Sequence, residues 1–417
     1  MPETMTVEEA RELLFARVRT LDAERVPLLE SLGRVLAEDA LSDIDVAPFD
    51  NSAMDGFAVR AEDVAEADED SPATLDVISH IGAGEYSEMP VGPGQAARIM
   101  TGAPVPPGAD AVVMIEFTHP VTGDGSVGST VAIERPVSAG ENIRRKAEEV
   151  RAGELVLLAG EGIGAAAIGL LASTGHAEVA VYRRPRVAVI STGSELVEVA
   201  EKPGPGKIRN SNSYSIAAQV LAAGGVPLRY PIVPDEPEVT RQSFEKAAEE
   251  SDFIVTSGGV SVGDFDYVKP VLEELGELVF CKVAMRPGNP QTMGSIGTVP
   301  FFGLPGNPTS TYVGFEIFVR PALRLMQGFV TLDRPRVVAK LAHDVKKKPD
   351  RRYYLRARLE RGEKGFEASL AGSQSSALLT AAHRGNCLLV LPEGEKFFSA
   401  GETVECIRLD MEEGVPE

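Results

Sequence analysis

Between Arg186 and Met326, short apolar runs alternate with stretches of helical spacing, and this alternation restricts the fold more than any other feature of the chain. The spacing predicts strands at Arg186 to Ile190, Leu228 to Val233, Asp252 to Ser257, Leu278 to Ala284 and Pro300 to Leu304. It predicts helices at Asn212 to Ala223, closed by Gly224-Gly225, at about Glu238 to Glu250, from about Tyr267, and at Thr309 to Met326. Such alternation builds a doubly wound, mostly parallel sheet with right-handed crossovers, and ligands of such sheets sit beyond the carboxyl ends of the strands.

The loops at those ends hold the candidate binding groups. They are Ser191-Thr192-Gly193-Ser194-Glu195, Pro234-Asp235, the run Ser257-Gly258-Gly259-Val260-Ser261-Val262-Gly263-Asp264-Phe265-Asp266, Arg286-Pro287-Gly288-Asn289-Pro290 and Pro305-Gly306-Asn307-Pro308-Thr309-Ser310. Gly258, Gly259 and Gly263 let backbone approach a ligand closely, and the helix that follows offers N–H groups and a positive dipole end to an anion. Asp264 and Asp266 are either caps of that helix or carboxylates holding a cation beside a phosphate. Glycines, hydroxyls, acids and cations thus converge on one rim.

Around this sheet the chain changes texture. A length of 417 residues calls for more than one core. Thr6 and Glu9 form a capping box ahead of an opening helix, and the Ala/Gly/Leu-rich stretch from Gly160 to Thr174 reads as a second helix of the same scaffold. The run Phe49 to Val59 gathers turn formers and acids beside Gly56, as an Asx turn or as a recessed ligand loop. Short β-branched runs broken by Gly and Pro between about Thr74 and Pro136 predict a small β domain, and similar runs after Gly328 predict a C-terminal one. We expect a discontinuous scaffold at 1–49 and 141–180, an inserted small β domain at 50–140, an α/β domain at 181–328 and a β-barrel-like domain at 329–417. Arg144-Arg145-Lys146 before Glu148-Glu149 is either a solvated charge run or an arginine pair reaching an oxyanion.

The net charge of −21 disfavours nucleic acid and anionic membrane as partners, so an anionic substrate must meet local basic clusters. No apolar tract of about twenty residues and no charged-then-apolar leader is present, which points to the cytoplasm. Cys281, Cys387 and Cys406 are scattered and odd in number, against a disulfide framework, and the five histidines show no zinc spacing.

Over nearly its whole length the chain resembles the MoeA family, the molybdopterin molybdenumtransferases that include the E domain of gephyrin. The resemblance rests on Phe49-Asp50-Asn51-Ser52-Ala53-Met54-Asp55-Gly56, Met100-Thr101-Gly102-Ala103-Pro104, Asn142-Ile143-Arg144-Arg145, Ser191-Thr192-Gly193-Ser194-Glu195-Leu196, the glycine loop and Gly303-Leu304-Pro305-Gly306-Asn307-Pro308. It implies an α/β multidomain protein with a MoaB/MogA-like sheet domain, acting as a homodimer whose cleft lies between the sheet domain of one subunit and the inserted β domain of the other. The implied reaction cleaves adenylylated molybdopterin with Mg²⁺, inserts molybdate at the dithiolene and releases AMP; the molybdopterin adenylyltransferase is an implied partner. The family's functional acids fall on Asp55, Glu195, Asp235 and Asp266, with Glu195, Asp235 and Asp266 as implied metal ligands, and its threonine and arginine on Thr101 and Arg144. The pterin-nucleotide contacts fall on the first, third and fifth rim loops, with Lys282, and the oxyanion region on Lys282, Arg286, Pro287, Ser310, Arg351 and Ser376. Departures are Ala147 where Gly is usual, Glu149 for Asp, Arg286 and Asn289 for lysines, and Tyr353 for an acid.

Four other functions compete. A gephyrin-like scaffold would keep pterin binding without turnover, and a paralogue could insert tungstate. The related adenylyltransferase shares the sheet domain and glycine loop but lacks the flanking domains, and a nicotinamide dehydrogenase is disfavoured because no Gly-x-Gly-x-x-Gly opens the first strand–helix turn.

Overall fold

The computed structural model describes residues 4–259, 267–363 and 365–411. Its centre is a six-stranded sheet in the order Val226–Arg229, Arg186–Ser191, Phe253–Ser257, Val299–Leu304, Pro290–Ile296, Gly276–Lys282. The first four strands run parallel. Pro290–Ile296 is antiparallel to both of its neighbours, so the mostly parallel sheet of the sequence reading is observed with one reversed strand. That strand falls partly where the spacing had suggested only a loop. Pro290 is tolerated because it opens the strand, where a missing N–H costs least.

The central strand Phe253–Ser257 is buried at every position, as expected of a strand covered on both faces. Its two faces pack into separate cores, Phe253 and Val255 on one side with Phe302 stacked on Phe318 at 5.2 Å, and Ile254 on the other with Phe244 and Phe301. The helices are Ser211–Ala222, Pro237–Glu250, Val268–Leu275 and a long segment from Pro308 to Met326. The long helix is α-helical at Pro308–Gly314 and Arg320–Met326 and widens to a π-turn at Phe315–Val319 between them. The expected strand at Leu228 to Val233 is shifted: regular pairing covers Val226–Arg229, and Val233 returns only to bridge Thr192.

The flanking units follow from pairings distant in sequence. Ala23–Pro27 pairs with Glu178–Tyr182, Ala40–Leu41 with Leu155–Leu157 and Asn51–Ser52 with Ile143–Arg144, so segments before and after the inserted β unit zip together. The opening helix Val7–Phe15 carries the Thr6–Glu9 capping box, and the second scaffold helix begins at Ala165, later than its composition suggested. The inserted unit is a six-stranded sheet from Gly56–Val59 to Thr130–Ile133 over its own apolar core.

At the C-terminus, Arg352–Gly362 pairs with Gly365–Leu370 on one side and Cys387–Leu391 on the other; through Arg336–Leu341 and Thr403–Arg408 the circuit closes into a five-stranded barrel. Met285–Arg286 extends that barrel from the sheet domain by pairing parallel to Arg352 and Tyr353. No helix among the described residues is long and apolar enough to cross a membrane.

Candidate functional site

The carboxyl rim of the central sheet is held together by small polar side chains. Ser191 ends its strand buried, and its hydroxyl donates to Asn210 Oδ1 at 3.0 Å, the same oxygen that caps the helix Ser211–Ala222 through the Ser213 N–H. Asn212 Nδ2 donates to Ser257 Oγ and to the Gly306 carbonyl, both at 2.8 Å, so one amide ties the third rim loop to the fifth. Thr311 Oγ1 donates to the Asn307 carbonyl at 3.1 Å. Asn210 and Asn212 have no role in the family-based reading; their signal is an Asn-Ser-Asn-Ser run at a helix start.

Against this frame the glycines make a narrow cradle. Gly258 and Gly259 both have positive φ, and a Cβ on Gly258 would meet the Thr192 carbonyl at 2.5 Å. Gly306 approaches the Gly258 Cα from the fifth loop, and a Cβ on Gly259 would lie 2.8 Å from Thr192 Oγ1. Thr192 is 6 % exposed, and its hydroxyl oxygen has no hydrogen-bond partner among the described residues. An unpaired buried hydroxyl at the mouth of a glycine cradle is a group waiting for a ligand. Val260, Ser261, Gly263 and Asp266 lie outside the described residues.

Two of the expected acids stand beside this cradle. Asp235 Oδ2 accepts the Ser194 N–H at 2.9 Å, and Ser194 Oγ accepts the Asp235 N–H at 3.2 Å. The Glu195 carboxylate folds back over Gly193, where a Cβ would meet it at 2.4 Å. The donors gathered here are carboxylate and hydroxyl oxygens, with neither thiolate nor imidazole, and this set suits a hard divalent cation. Among the described residues no three His, Cys, Asp or Glu side chains cluster as ligands, which leaves Glu195 and Asp235 as a partial set.

A second group assembles where the inserted β unit joins the scaffold. Asp55 precedes Gly56, whose Cα packs so closely on the neighbouring strand that a Cβ would meet the Val113 carbonyl at 1.9 Å. Asp55 Oδ1 accepts both the N–H and the hydroxyl of Thr101 at 2.7 Å, and these bonds hold its carboxyl below the ordinary value. Pairing of Ile143–Arg144 with Asn51–Ser52, and the Ala53 N–H bond to the Asn142 carbonyl at 2.8 Å, bring Arg144 to the same loop cluster. Arg145 and Lys146 are committed elsewhere: Asp50 accepts Arg145 Nη1 and the Lys146 N–H, both at 2.7 Å, and Lys146 Nζ lies 3.0 Å from Asp45. Of that basic run only Arg144 keeps its guanidinium uncommitted among the described residues. No hydrogen bond or ion pair joins this cluster to the sheet rim within the described chain.

Three consecutive family models match the chain: the MoeA N-terminal region (domains I and II) over residues 5–175, a probable molybdopterin-binding domain over 188–325 and the MoeA C-terminal region (domain IV) over 338–409. A Bacillus subtilis (strain 168) protein named molybdopterin molybdenumtransferase is 40% identical over 94% of this chain and 91% of its own length. The chain belongs to the MoeA family. A Staphylococcus aureus (strain COL) protein of the same name is 39% identical over 96% of this chain and 94% of its own. The crystal structure of a molybdopterin biosynthesis MoeA protein from Pyrococcus horikoshii superimposes with a TM-score of 0.82 at 34% identity, covering 98% of this chain and all of that one.

Membership in the MoeA family directs attention to the residues expected around the oxyanion. Arg286 extends over the Tyr353 ring at 5.4 Å and donates to its hydroxyl at 3.4 Å. Pro287 lies beside it, and Gly288 packs its Cα near Ser310, where a Cβ would meet Ser310 Cβ at 3.6 Å. Ser376 is tied to the same helix start, its carbonyl accepting the Thr309 N–H at 2.9 Å. Arg351 instead pairs with its neighbour Asp350, and Lys282 ends the last strand of the sheet opposite Pro290. Arg286, Pro287, Ser310 and Ser376 therefore surround one junction between sheet and barrel.

Two residues of this junction were missed. Gln291 is fully buried, with Oε1 unpartnered among the described residues and its Nε2 2.7 Å from where a Cβ on Gly288 would stand; its signal is a lone amide inside an apolar strand. Arg356 is 1 % exposed inside the strand Arg352–Gly362, and its signal is a cation in a run of aromatic and aliphatic residues.

Proposed function

We propose that this chain is a molybdopterin molybdenumtransferase that cleaves adenylylated molybdopterin and places molybdate on the dithiolene with release of AMP. The observation that carries the reading is the cradle at Thr192, Gly258, Gly259 and Gly306 at the end of a parallel sheet, where an anionic nucleotide would be received and where the buried Thr192 hydroxyl has no partner among the described residues. Named relatives spanning almost the full chain support the same chemistry.

In this reading Ser191, Thr192 and Gly193, with the glycine loop and Pro305-Gly306-Asn307, hold the phosphate end of the substrate. Glu195 and Asp235, with Asp266 as the third ligand the family pattern implies, would hold Mg²⁺, which supplies charge neutralisation at the phosphoanhydride when bound. Ser194 fixes the Asp235 carboxylate through its N–H, so one carboxylate oxygen is positioned before any ligand arrives. Arg286, Ser310 and the neighbouring backbone place the oxyanion, with the planar guanidinium offering two parallel donors to a tetrahedral dianion.

Asp55, Thr101 and Arg144 form a second functional cluster that a second subunit would bring to the rim. A homodimer is favoured because the cluster is assembled, charged and exposed, yet no hydrogen bond or ion pair among the described residues connects it to the sheet rim of its own chain. The test is incubation of purified protein with adenylylated molybdopterin and either molybdate or tungstate, reading AMP. Molybdate-dependent AMP release is expected; substrate binding without release returns the protein to a scaffold role, and release with tungstate alone makes it the tungstate paralogue.

A further inference from the structure

The strand ladder that joins the third rim loop to the fifth ends just before the glycines. Ser257 is paired with Leu304, and the Gly258 N–H bonds the Leu304 carbonyl at 3.1 Å. Beyond that bond stand Gly258 and Gly259 at positive φ on one side and Gly306 on the other. Glycine backbone has the most freedom to lose, so two such loops keep a fixed separation only where something ties them.

Two side chains supply the tie. Ser257 Oγ donates to the Pro305 carbonyl at 3.4 Å, a long bond. Asn212 Nδ2 makes the shorter links, 2.8 Å each to Ser257 Oγ and to the Gly306 carbonyl. A carbonyl only accepts, so the Gly306 bond settles which way the amide faces: its nitrogen is turned to the loops, and Oδ1 is buried without a partner among the described residues. The position of Asn212 is itself fixed. It is the second residue of the helix Ser211–Ala222, whose cap Asn210 accepts both the Ser213 N–H and the Ser191 hydroxyl. One helix start therefore reaches three rim loops, the first through Asn210 and the third and fifth through Asn212.

We propose that Asn212 is a positioning residue for the reaction, its amide nitrogen setting the width of the glycine cradle before the nucleotide arrives. The inference rests on the molybdenumtransferase reading for the identity of the ligand, and it adds a residue that acts through Ser257 and Gly306. Preorganisation is the physical reason: without the amide, bringing the Gly258-Gly259 and Gly306 backbones together around a phosphate is drawn from the free energy of binding. The chemical step is spared, because Glu195 and Asp235 stand on the first two loops and make no hydrogen bond to Asn212 among the described residues.

The test uses the full-length protein. KM and kcat for AMP release from adenylylated molybdopterin, and AMP affinity by equilibrium dialysis, are compared for wild type, Asn212→Ala, Ser257→Ala and the double variant, with a melting curve beside each. In Asn212→Ala, KM is expected to rise and AMP affinity to fall by about tenfold, the worth of one or two neutral hydrogen bonds, with kcat held within about threefold. In the Ser257→Ala background the same substitution is expected to cost only about threefold, because one of its two links is already gone. Should Asn212→Ala not fold, Asn212→Ser takes its place with the same expectations, since a short hydroxyl residue suits a helix start.

Unchanged KM and AMP affinity in a folded variant overturn the proposal, whatever happens to the melting temperature, and so does a loss confined to kcat. An equal factor in both backgrounds also overturns it, because a side chain that touched the nucleotide directly would not depend on Ser257. Failure of the enzymatic reading is separable. AMP release indifferent to Asn212 removes this inference alone, whereas AMP bound through Asn212 but never released from the adenylylated substrate removes the transferase reading and leaves the tie standing.

Discussion

Ser194 and Asp235 close on each other twice, the Ser194 N–H on the Asp235 carboxylate at 2.9 Å and the Asp235 N–H on the Ser194 hydroxyl at 3.2 Å. This reciprocal pair joins the first two rim loops and fixes one carboxylate oxygen, while the other has no hydrogen bond among the described residues. The amide of Asp235→Asn still accepts the Ser194 N–H, so stability should stay within about 0.5 kcal/mol of wild type. If the charge holds Mg²⁺, turnover should fall roughly a hundredfold. AMP release at several Mg²⁺ concentrations, read beside melting curves, distinguishes a ligand from a loop tie; near-normal rates at low Mg²⁺ leave only the tie.

Arg286 makes no ion pair with an acid among the described residues, and its contacts are with Tyr353. Arg286→Ala should therefore raise the molybdate concentration needed for half-maximal AMP release by about tenfold. Affinity for adenylylated molybdopterin should be unchanged. Equal loss of both would show that this loop serves the pterin as much as the oxyanion.

The proposed division of the cleft between subunits predicts complementation. Asp55→Ala and Asp235→Asn should each be inactive alone, yet random mixing should restore about a quarter of wild-type turnover, because half of the dimers are mixed and each of those keeps one intact cleft. Light scattering on the same samples should report dimers. A mixture as inactive as its components would place both clusters in one chain's site.

Ala147 sits at φ +59°, a left-handed conformation that costs a residue with a Cβ about 1 kcal/mol. Its N–H is bonded to the Ala47 carbonyl at 2.8 Å, so the turn cannot simply relax. Ala147→Gly should raise the melting temperature by about 1–2 °C once the greater freedom of the unfolded glycine is subtracted. A lowered melting temperature would mean that the methyl contributes more than the strain removes.

Arg183 grips Asp252 with two bonds of 2.6 Å, and the Arg186 N–H adds a third at 2.8 Å, joining the scaffold strand to the start of the central sheet. Burial pushes the Asp252 carboxyl up, but Arg183 and the Arg186 N–H outweigh it and hold the group below its ordinary value. The folded pKa is thus depressed, so the stabilisation is fully present above the unfolded value of about 3.9 and is lost as pH falls through the folded one. Asp252→Asn should cost about 2 kcal/mol near neutral pH and progressively less below about pH 4, in denaturant titrations compared across pH. A pH-independent difference would assign the effect to geometry rather than charge.

Much of the molecule was legible because its signals are local. The apolar period marked the strands Arg186–Ser191, Phe253–Ser257 and Val299–Leu304 and the helices between them, and with their order came the rim where Ser191, Thr192, Glu195 and Asp235 stand. The Thr6–Glu9 capping box could likewise be read from four residues. Strand Pro290–Ile296 was hidden because its proline and glutamine imitate loop composition, and the π-turn at Phe315–Val319 leaves no mark on helical spacing. Closure of the barrel, the zipping of Asn51–Ser52 onto Ile143–Arg144 and the meeting of Arg286 with Tyr353 and Arg356 join residues far apart in the chain, which no local period encodes. The sequence by itself determined which polar groups reach the rim, since strand order and loop composition decide that. Only the tertiary structure decided which buried polar groups have no partner among the described residues: at the Thr192 hydroxyl, the Gln291 Oε1 and the Arg356 Nε, packing removes water without supplying one from those residues.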